Sequence, residues 1–187
     1  AILAKRLAHG TMPAQRLFSW QQGMETLPRA LAARLGAAIH VGMPVRRIRA
    51  VPGGYRGEVG LAAQTVRARA VVVATQPHVA AELLDHVDHD AAAAAAKIDA
   101  PPLAVVFTGY RRRQISHPLT GLGYLSPERE RHALLGALFC STMFSGRAAA
   151  GDVALAAYVG GARAPDLARA SPADLVDATR REFRDLL

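Results

Sequence analysis

The sequence predicts a mixed fold, α/β in its first half and α+β in its second. After Gly36 the hydrophobic period changes from 3.6 residues to 2, which indicates strands. The continuous apolar run at 70–75 is typical of a strand that is covered on both faces. Three long apolar runs after residue 100 indicate an antiparallel sheet.

The first half begins with a helix in which Leu27, Leu31 and Leu35 share one face. Pro28 suits the first turn of this helix, and Gly36 ends it. The Pro52-Gly53-Gly54 turn then predicts a hairpin. In order, we predict strands at 39–41, 45–51, 55–59 and 64–69, the buried strand at 70–75, and a helix marked by Val79, Leu83 and Leu84.

The second half begins after a polar and alanine-rich connector, 85–99, which predicts a short helix. Strands are predicted at 103–110, 133–139 and 153–159. Ser171-Pro172-Ala173-Asp174 resembles a capping box, and it predicts a helix from there towards Leu187. Because the chain starts without methionine and its last helix runs to the final residue, we expect a fragment that is incomplete at both ends.

Composition excludes several classes of protein. The 187 residues are 51% hydrophobic and 20% charged, as in a folded protein. No apolar stretch approaches the ~20 residues of a membrane-spanning helix. The single cysteine, Cys140, excludes an internal disulfide and a cysteine-rich zinc site. The net charge of +8 is nearly all arginine and is scattered along the chain, so we predict no nucleic-acid partner.

The sequence contains no convincing phosphate-binding loop or metal site. Gly121-Leu122-Gly123 lacks the third glycine of a dinucleotide-binding turn. The histidines and aspartates within 85–90 suit helix capping and solvent exposure better than metal binding.

Nucleophilic catalysis is also poorly supported. Cys140 ends an apolar strand, so packing is favoured over a pairing with His117 or His132. No serine lies in a Gly-x-Ser-x-Gly elbow. We therefore predict no catalytic and no metal-binding side chain. Three interpretations remain: a binding wall, an interaction module, or part of an enzyme whose reactive group is a cofactor.

Several motifs, in order along the chain, resemble the protoporphyrinogen oxidase family of FAD-dependent, amine-oxidase-like flavoproteins. Gly121-Leu122-Gly123-Tyr124-Leu125-Ser126-Pro127 is similar to the family's Gly-Phe-Gly-x-Leu-Val-Pro. The other matching segments are Ser19–Pro28, Val71–Pro77, Leu135–Phe144, Arg147-Ala148 and Val159-Gly160-Gly161. The first half alone would also fit amine oxidases and desaturases.

The resemblance implies part of a Rossmann-like FAD-binding domain followed by an antiparallel-sheet substrate domain. The implied parts are 1–17 as the tail of a helical membrane-binding segment, 18–86 as part of the FAD domain, 87–97 as a helical connector, and 98–187 as the substrate domain. The family's Gly-x-Gly-x-x-Gly turn, which holds the FAD pyrophosphate, is absent from these residues. We therefore expect the isolated chain to be inactive.

The resemblance also implies binding residues, one set for each ligand. The FAD-binding positions are Val45, Ala74, Thr75 and Pro77. The positions that line the porphyrinogen cavity are Gly123, Leu125, Leu138 and Tyr158. Apolar and aromatic groups of this kind suit a flat tetrapyrrole, although the same residues could serve only as the core of a sheet.

The implied function is FAD-mediated dehydrogenation of a porphyrinogen to a porphyrin in haem biosynthesis, with dioxygen as the electron acceptor. The implied partners and location are a homodimer, peripheral membrane contact through segments outside this chain, and the cytoplasm. Two alternatives stay open at this point: another flavin amine oxidase or desaturase, and a non-catalytic binding module that retained the sheet.

Overall fold

The computed structural model describes residues 17–187, which form two compact units divided between Ile39 and His40. The predicted membrane-binding tail, 1–17, lies outside the described residues except for Leu17. Among residues 17–187, no helix has both the length and the hydropathy that crossing a membrane requires.

The first unit contains helix α1, Thr26–Leu35, followed by a short 3-10 turn, Gly36–Ala38. Gly36 adopts φ +52°, a conformation that favours glycine and ends the helix as predicted. The three leucines of the predicted apolar face are about half exposed in this unit.

The predicted strand at 39–41 is wrong. Residues 41 and 42 form a turn, and the next strand starts only at Val45. Gly42 adopts φ +68°, which reverses the backbone, and Pro44 has no N–H to donate to a sheet. Two alternating apolar residues were too short a pattern to outweigh these breakers.

The second unit starts with a three-stranded antiparallel sheet, which contains β1 (Val45–Val51), β2 (Gly54–Val59) and β3 (Gln64–Ala68) in that order. Pro52 and Gly53 form the predicted turn, and Gly53 and the following Gly54 adopt φ +79° and +150°. Ile48, Gly57 and Val66 are paired across the three strands and share one face. The strand predictions for this hairpin and its third strand are confirmed.

The apolar run at 70–75 does not form a strand, contrary to the prediction. It follows β3 without a strand partner among residues 17–187, and Val72 is 89% exposed. A strand exists only when a neighbour satisfies its backbone groups, and the described chain supplies no such neighbour. The apolar composition therefore marks a surface that is suited to burial but is not buried here.

Two helices follow this segment, α2 (Pro77–Leu84) and α3 (His89–Ala96). Asp88 caps α3, because its carboxylate accepts a hydrogen bond from the Ala91 N–H at 2.9 Å. His89 lies 3.2 Å from Asp85 on the exposed surface. The capping interpretation of this histidine and aspartate segment is confirmed.

The second sheet contains four antiparallel strands in the order β4-β7-β6-β5. Their bounds are Leu103–Arg111 for β4, Gly123–Leu125 for β5, Leu134–Leu138 for β6 and Asp152–Gly160 for β7. Three of them match the predicted strands. The short strand β5 was not predicted as a strand. A short helix, α4 (Cys140–Met143), follows β6.

Helix α5, Pro172–Leu186, covers one face of this second sheet and completes the core. Ser171 caps it as predicted, since its hydroxyl accepts a hydrogen bond from the Asp174 N–H at 3.2 Å. Phe183 lies in the core and meets Tyr110 edge to face at 6.3 Å. The largest fully buried side chains here are Phe139, Leu134, Leu155, Val159 and Thr179.

Candidate functional site

An apolar cavity of about 460 Å³ lies between the first sheet and the segment 71–75. One face of β1, β2 and β3 forms one side, with Ile48, Gly57 and Val66 in its lining. Val79 and Leu83 of α2 also line it. A concave and mainly apolar surface of this size suits an aromatic ring system.

The structure brings three of the four predicted FAD-binding residues to this cavity. Val45, Ala74 and Thr75 line it, although they are separated by about thirty positions in the sequence. Pro77 instead begins α2, where its missing N–H is tolerated. The Thr75 hydroxyl bonds only the adjacent Gln76 carbonyl, at 3.3 Å, and it is exposed.

The cavity fits the ring parts of FAD better than it fits the phosphates. Val45 begins an edge strand, since β1 pairs only with β2, so one row of its backbone donors and acceptors is free among the described residues to meet an adenine edge. The lining is almost wholly apolar. The 187 residues contain no Gly-x-Gly-x-x-Gly turn for a pyrophosphate.

The four predicted substrate residues lie on one face of the second sheet. Leu125 pairs with Gly136, which pairs with Tyr158, so these residues form a row across three strands. Gly123 pairs with Leu138 in the neighbouring row. Because residues two apart on a strand project to the same side, both rows face the same direction.

This surface, which we call the open face, continues onto β4. Val105 extends the row of Tyr158, and Phe107 extends the row of Leu138 through Ala156. Leu125 is 84% exposed and Phe107 is 71% exposed. Large apolar side chains that are grouped and exposed are typical of a binding surface.

Two glycines keep the open face flat. Gly123 and Gly136 adopt φ +149° and +152°, and a Cβ on either would come within 2.1 Å and 2.3 Å of a carbonyl oxygen on the neighbouring strand. Both positions therefore require glycine. Because Gly136 has no side chain, the position between Leu125 and Tyr158 stays low, which suits a flat ligand.

The opposite face of β5 and β6 carries a buried polar cluster. Glu182 of α5 is 6% exposed, and it accepts a hydrogen bond from the Leu134 N–H at 3.0 Å. His132 lies 3.9 Å from the same carboxylate oxygen. The hydroxyls of Tyr124 and Ser126 are buried without a hydrogen-bond partner among the described residues.

Burial raises the pKa of the Tyr124 phenol far above its ordinary value, and the nearby Glu182 carboxylate adds to the effect. The Tyr124 ring packs against Phe139 at 6.4 Å. This cluster lies on one side of β5 and β6, and the open face lies on the other side of the same strands.

Cys140 has the environment of a packed side chain. Its pKa is raised, chiefly by burial, whereas a nucleophilic cysteine needs a lowered pKa. His117 packs its ring against Phe139 at 5.6 Å and accepts a hydrogen bond from the Leu119 N–H. Neither observation supports a thiolate and base pair.

Known proteins match this chain along nearly its whole length. The family described as flavin containing amine oxidoreductase matches residues 3–187. The chain belongs to this flavin-containing amine oxidoreductase family. Members of this family are described as flavin-containing oxidoreductases, which supports the predictions of FAD and of an oxidoreductase.

Sequence relatives of this family member include plant and animal enzymes. The chain is 30% identical to protoporphyrinogen oxidase 1 of Arabidopsis thaliana chloroplasts, over 92% of this chain and 34% of the relative. It is 32% identical to protoporphyrinogen oxidase of Bos taurus, over 70% of this chain and 28% of the relative. The chain thus spans about a third of the length of the curated relatives that it matches.

Solved structures confirm the predicted fold. A crystal structure from Exiguobacterium sp. 255-15, provisionally described as a protoporphyrinogen oxidase, matches with a TM-score of 0.78 at 20% identity, over 97% of this chain and 38% of that one. Cyclohexylamine oxidase of Brevibacterium oxydans matches with a TM-score of 0.64 at 18% identity, over 86% of this chain and 34% of that one. The shared feature is the fold of the flavin-containing amine oxidoreductases.

Proposed function

We propose that this chain forms the substrate wall and part of the FAD-binding surface of an oxygen-dependent protoporphyrinogen oxidase. The observation that carries the proposal is the open face, where Gly123, Leu125, Leu138 and Tyr158 come together from three strands. Sequence relatives named protoporphyrinogen oxidase support the same substrate class. The porphyrinogen is dehydrogenated to the porphyrin of haem biosynthesis.

The residues of the open face bind and orient the macrocycle. Leu125 and Phe107 supply apolar contact area, and Tyr158 supplies an aromatic ring with one hydroxyl. Water is excluded as these exposed side chains become covered, which stabilises the complex in proportion to the apolar area buried. Bound FAD supplies the two-electron oxidation. The chain's own contribution is to position the substrate, which explains why the face carries no acid and base pair.

The cofactor contacts follow from the apolar cavity. Val45 offers free backbone groups of an edge strand to the adenine, and Ala74 and Thr75 line the same cavity. Pro77 begins α2, the helix that supplies Val79 and Leu83 to the cavity lining. We assign residues 18–86 to the FAD domain, 87–97 to the connector and 98–187 to the substrate domain.

The remaining parts of the proposal concern the setting of the enzyme. Dioxygen accepts the electrons, the enzyme acts as a homodimer, and it lies in the cytoplasm with peripheral membrane contact through segments outside this chain.

The test compares two variants of the complete reading frame that encodes this chain. With FAD and protoporphyrinogen, porphyrin fluorescence should rise above autoxidation. Leu125→Glu places a charge on the open face and should lower kcat/KM on the order of tenfold. Val176→Glu, at an exposed position of α5, is the matched control and should leave kcat/KM unchanged.

Two outcomes would overturn the proposal. One is oxidation of an aliphatic amine with no oxidation of the porphyrinogen, which would make the protein an amine oxidase of the same fold. The other is equal activity of Leu125→Glu and Val176→Glu with the porphyrinogen, which would remove the open face from the substrate site.

A further inference from the structure

The first sheet places arginines on the face opposite the apolar cavity. Arg49 on β1 pairs with Arg56 on β2, and Arg56 pairs with Arg67 on β3. All three side chains are exposed. The neighbouring cross-strand row, which contains Ile48, lines the cavity, and alternate residues of a strand project to opposite sides. The three arginines, here called the arginine row, therefore project away from the cavity.

One acidic residue lies near the arginine row. Arg47 precedes Arg49 by two positions on β1, and its cross-strand partner is Glu58. Arg47, Glu58 and Thr65 form the next row on the same face as the arginine row. Within residues 17–187, no ion pair joins any of these arginines to a carboxylate. The face thus carries four guanidinium groups and one carboxylate.

The arrangement is unfavourable unless an anion covers it. Like charges that lie directly opposite each other on neighbouring strands destabilise a sheet. Arg56 has such a neighbour on each side. An arginine side chain also offers a planar fork of donors that matches a carboxylate or a phosphate in two-point contact. A partner with correctly spaced anionic groups would relieve the repulsion and satisfy these donors.

The spacing of the row fits one kind of partner. Neighbouring strands are about 4.8 Å apart, so three arginines in register span about 10 Å. On an α-helix, residues i, i+4 and i+7 share a face, and the first and last are also about 10 Å apart along the axis. We propose that the arginine row docks an acidic helix of a protein partner, with glutamates or aspartates at this spacing.

The side chains around the row favour a protein over other polyanions. The outward positions of the described sheet are arginine, glutamate, threonine, valine and glycine, with no aromatic ring on which a nucleic-acid base could stack. The same positions offer no aromatic or long aliphatic group that would insert into a lipid interface. Glu58, the one carboxylate on this face, can pair with a basic residue of a folded partner.

The experiment uses the full chain and two synthetic helical peptides of identical composition. In one peptide the glutamates occupy i, i+4 and i+7, and in the other they are distributed around the helix. By fluorescence anisotropy, the first peptide should bind about tenfold more tightly, which corresponds to about 1.4 kcal/mol. The triple variant Arg49→Gln, Arg56→Gln, Arg67→Gln should abolish this preference.

A matched control distinguishes the effect of the arginine row from the effect of net charge. Arg180, Arg181 and Arg184 are exposed on α5, and changing all three to glutamine removes the same charge from elsewhere. This control should keep the tenfold preference. If the triple row variant loses its fold by circular dichroism, the single variant Arg56→Gln gives the measurement and should reduce the preference at least about threefold, or about 0.7 kcal/mol.

Three results would overturn the proposal. The two peptides could bind equally, which would show that spacing is irrelevant. Both triple variants could weaken binding equally, which would assign binding to net charge. Finally, duplex DNA or phosphatidylserine vesicles could bind more tightly than the first peptide at the same ionic strength in a row-dependent way, which would make the partner a nucleic acid or a membrane.

Discussion

The carboxylate of Glu182 accepts a hydrogen bond from the backbone N–H of Leu134 at 3.0 Å and so joins α5 to the first residue of β6. Both residues are buried. The pairing between Leu134 and Val159 is followed by a shift of register, so this N–H lies at an irregular point of the sheet. The side chain of a helix therefore satisfies a strand donor at a position where the ladder is interrupted.

Removing this acceptor should destabilise the second unit. Glu182→Leu leaves the Leu134 N–H buried without a partner, and we expect a loss of about 2 kcal/mol in the free energy of unfolding. Glu182→Gln keeps an amide oxygen at the same place, so it should lose about 1 kcal/mol or less. Urea denaturation followed by circular dichroism measures both values. Equal losses of unfolding free energy in the two variants would show that the hydrogen-bond acceptor at residue 182 does not determine the loss.

Local patterns predicted most elements of the fold, whereas pairing partners could not be predicted. The turn at Pro52-Gly53 and the cap at Ser171 depend on neighbouring residues, so the sequence specifies them directly. The run at 70–75 can form a strand only beside a partner strand. Its apolar composition predicts burial but does not identify that partner. Strand β5 has three residues, too few for an alternating pattern to be distinguished.

The sequence indicated individual candidate site residues but not the surface that they form together. The resemblance indicated Leu125, Leu138 and Tyr158, yet nothing in the sequence gives the register that places them on one side of the sheet. Phe107 was missed altogether. Phe107 lies two residues after Val105 on β4, so the two side chains share a face. This spacing points to the site only once β4 is known to pair with β7. For the same reason, the three residues of the arginine row appeared scattered in the sequence.

Gly136→Ala should disrupt the hairpin of β5 and β6. The added Cβ would lie 2.3 Å from the Tyr124 carbonyl oxygen, at φ +152°, so the two strands must separate. We expect a loss of at least about 2 kcal/mol in the free energy of unfolding. Gly109→Ala is the matched control, because its nearest contact is 4.0 Å away on the same sheet. A similar thermal stability of both variants would contradict the assignment.

The cap of α5 should have a measurable effect on stability. The Ser171 hydroxyl accepts from the Asp174 N–H and donates to the Asp174 carboxylate at 2.7 Å. Ser171→Ala removes both hydrogen bonds and should lower the free energy of unfolding by about 1 kcal/mol. Ser171→Asn restores an acceptor and should recover most of the loss. Failure of this rescue in thermal melts would exclude capping as the cause.

Tyr124 should make the protein lose stability at alkaline pH. Its pKa is raised above the ordinary value of 10.0 by burial, with a smaller contribution from Glu182. The folded protein therefore holds a proton that the unfolded chain releases, so the stabilisation is complete below pH 10 and is lost as the pH rises above it. At neutral pH, Tyr124→Phe should be at least as stable as the wild type, since it removes a buried hydroxyl without a hydrogen-bond partner among the described residues. Above pH 10, it should lose less stability than the wild type. Parallel alkaline profiles for both proteins would contradict this.

Arg56→Gln should stabilise the free chain, because Arg56 faces Arg49 on one side and Arg67 on the other. Relief of the two repulsions should raise the free energy of unfolding by about 0.5 kcal/mol at low ionic strength. The gain should shrink as salt is added, since exposed charges are screened. Arg181→Gln, which removes one exposed charge from α5, should change stability less. A gain in Arg56→Gln that is independent of salt would mean that packing, and not charge repulsion, sets the stability of this row.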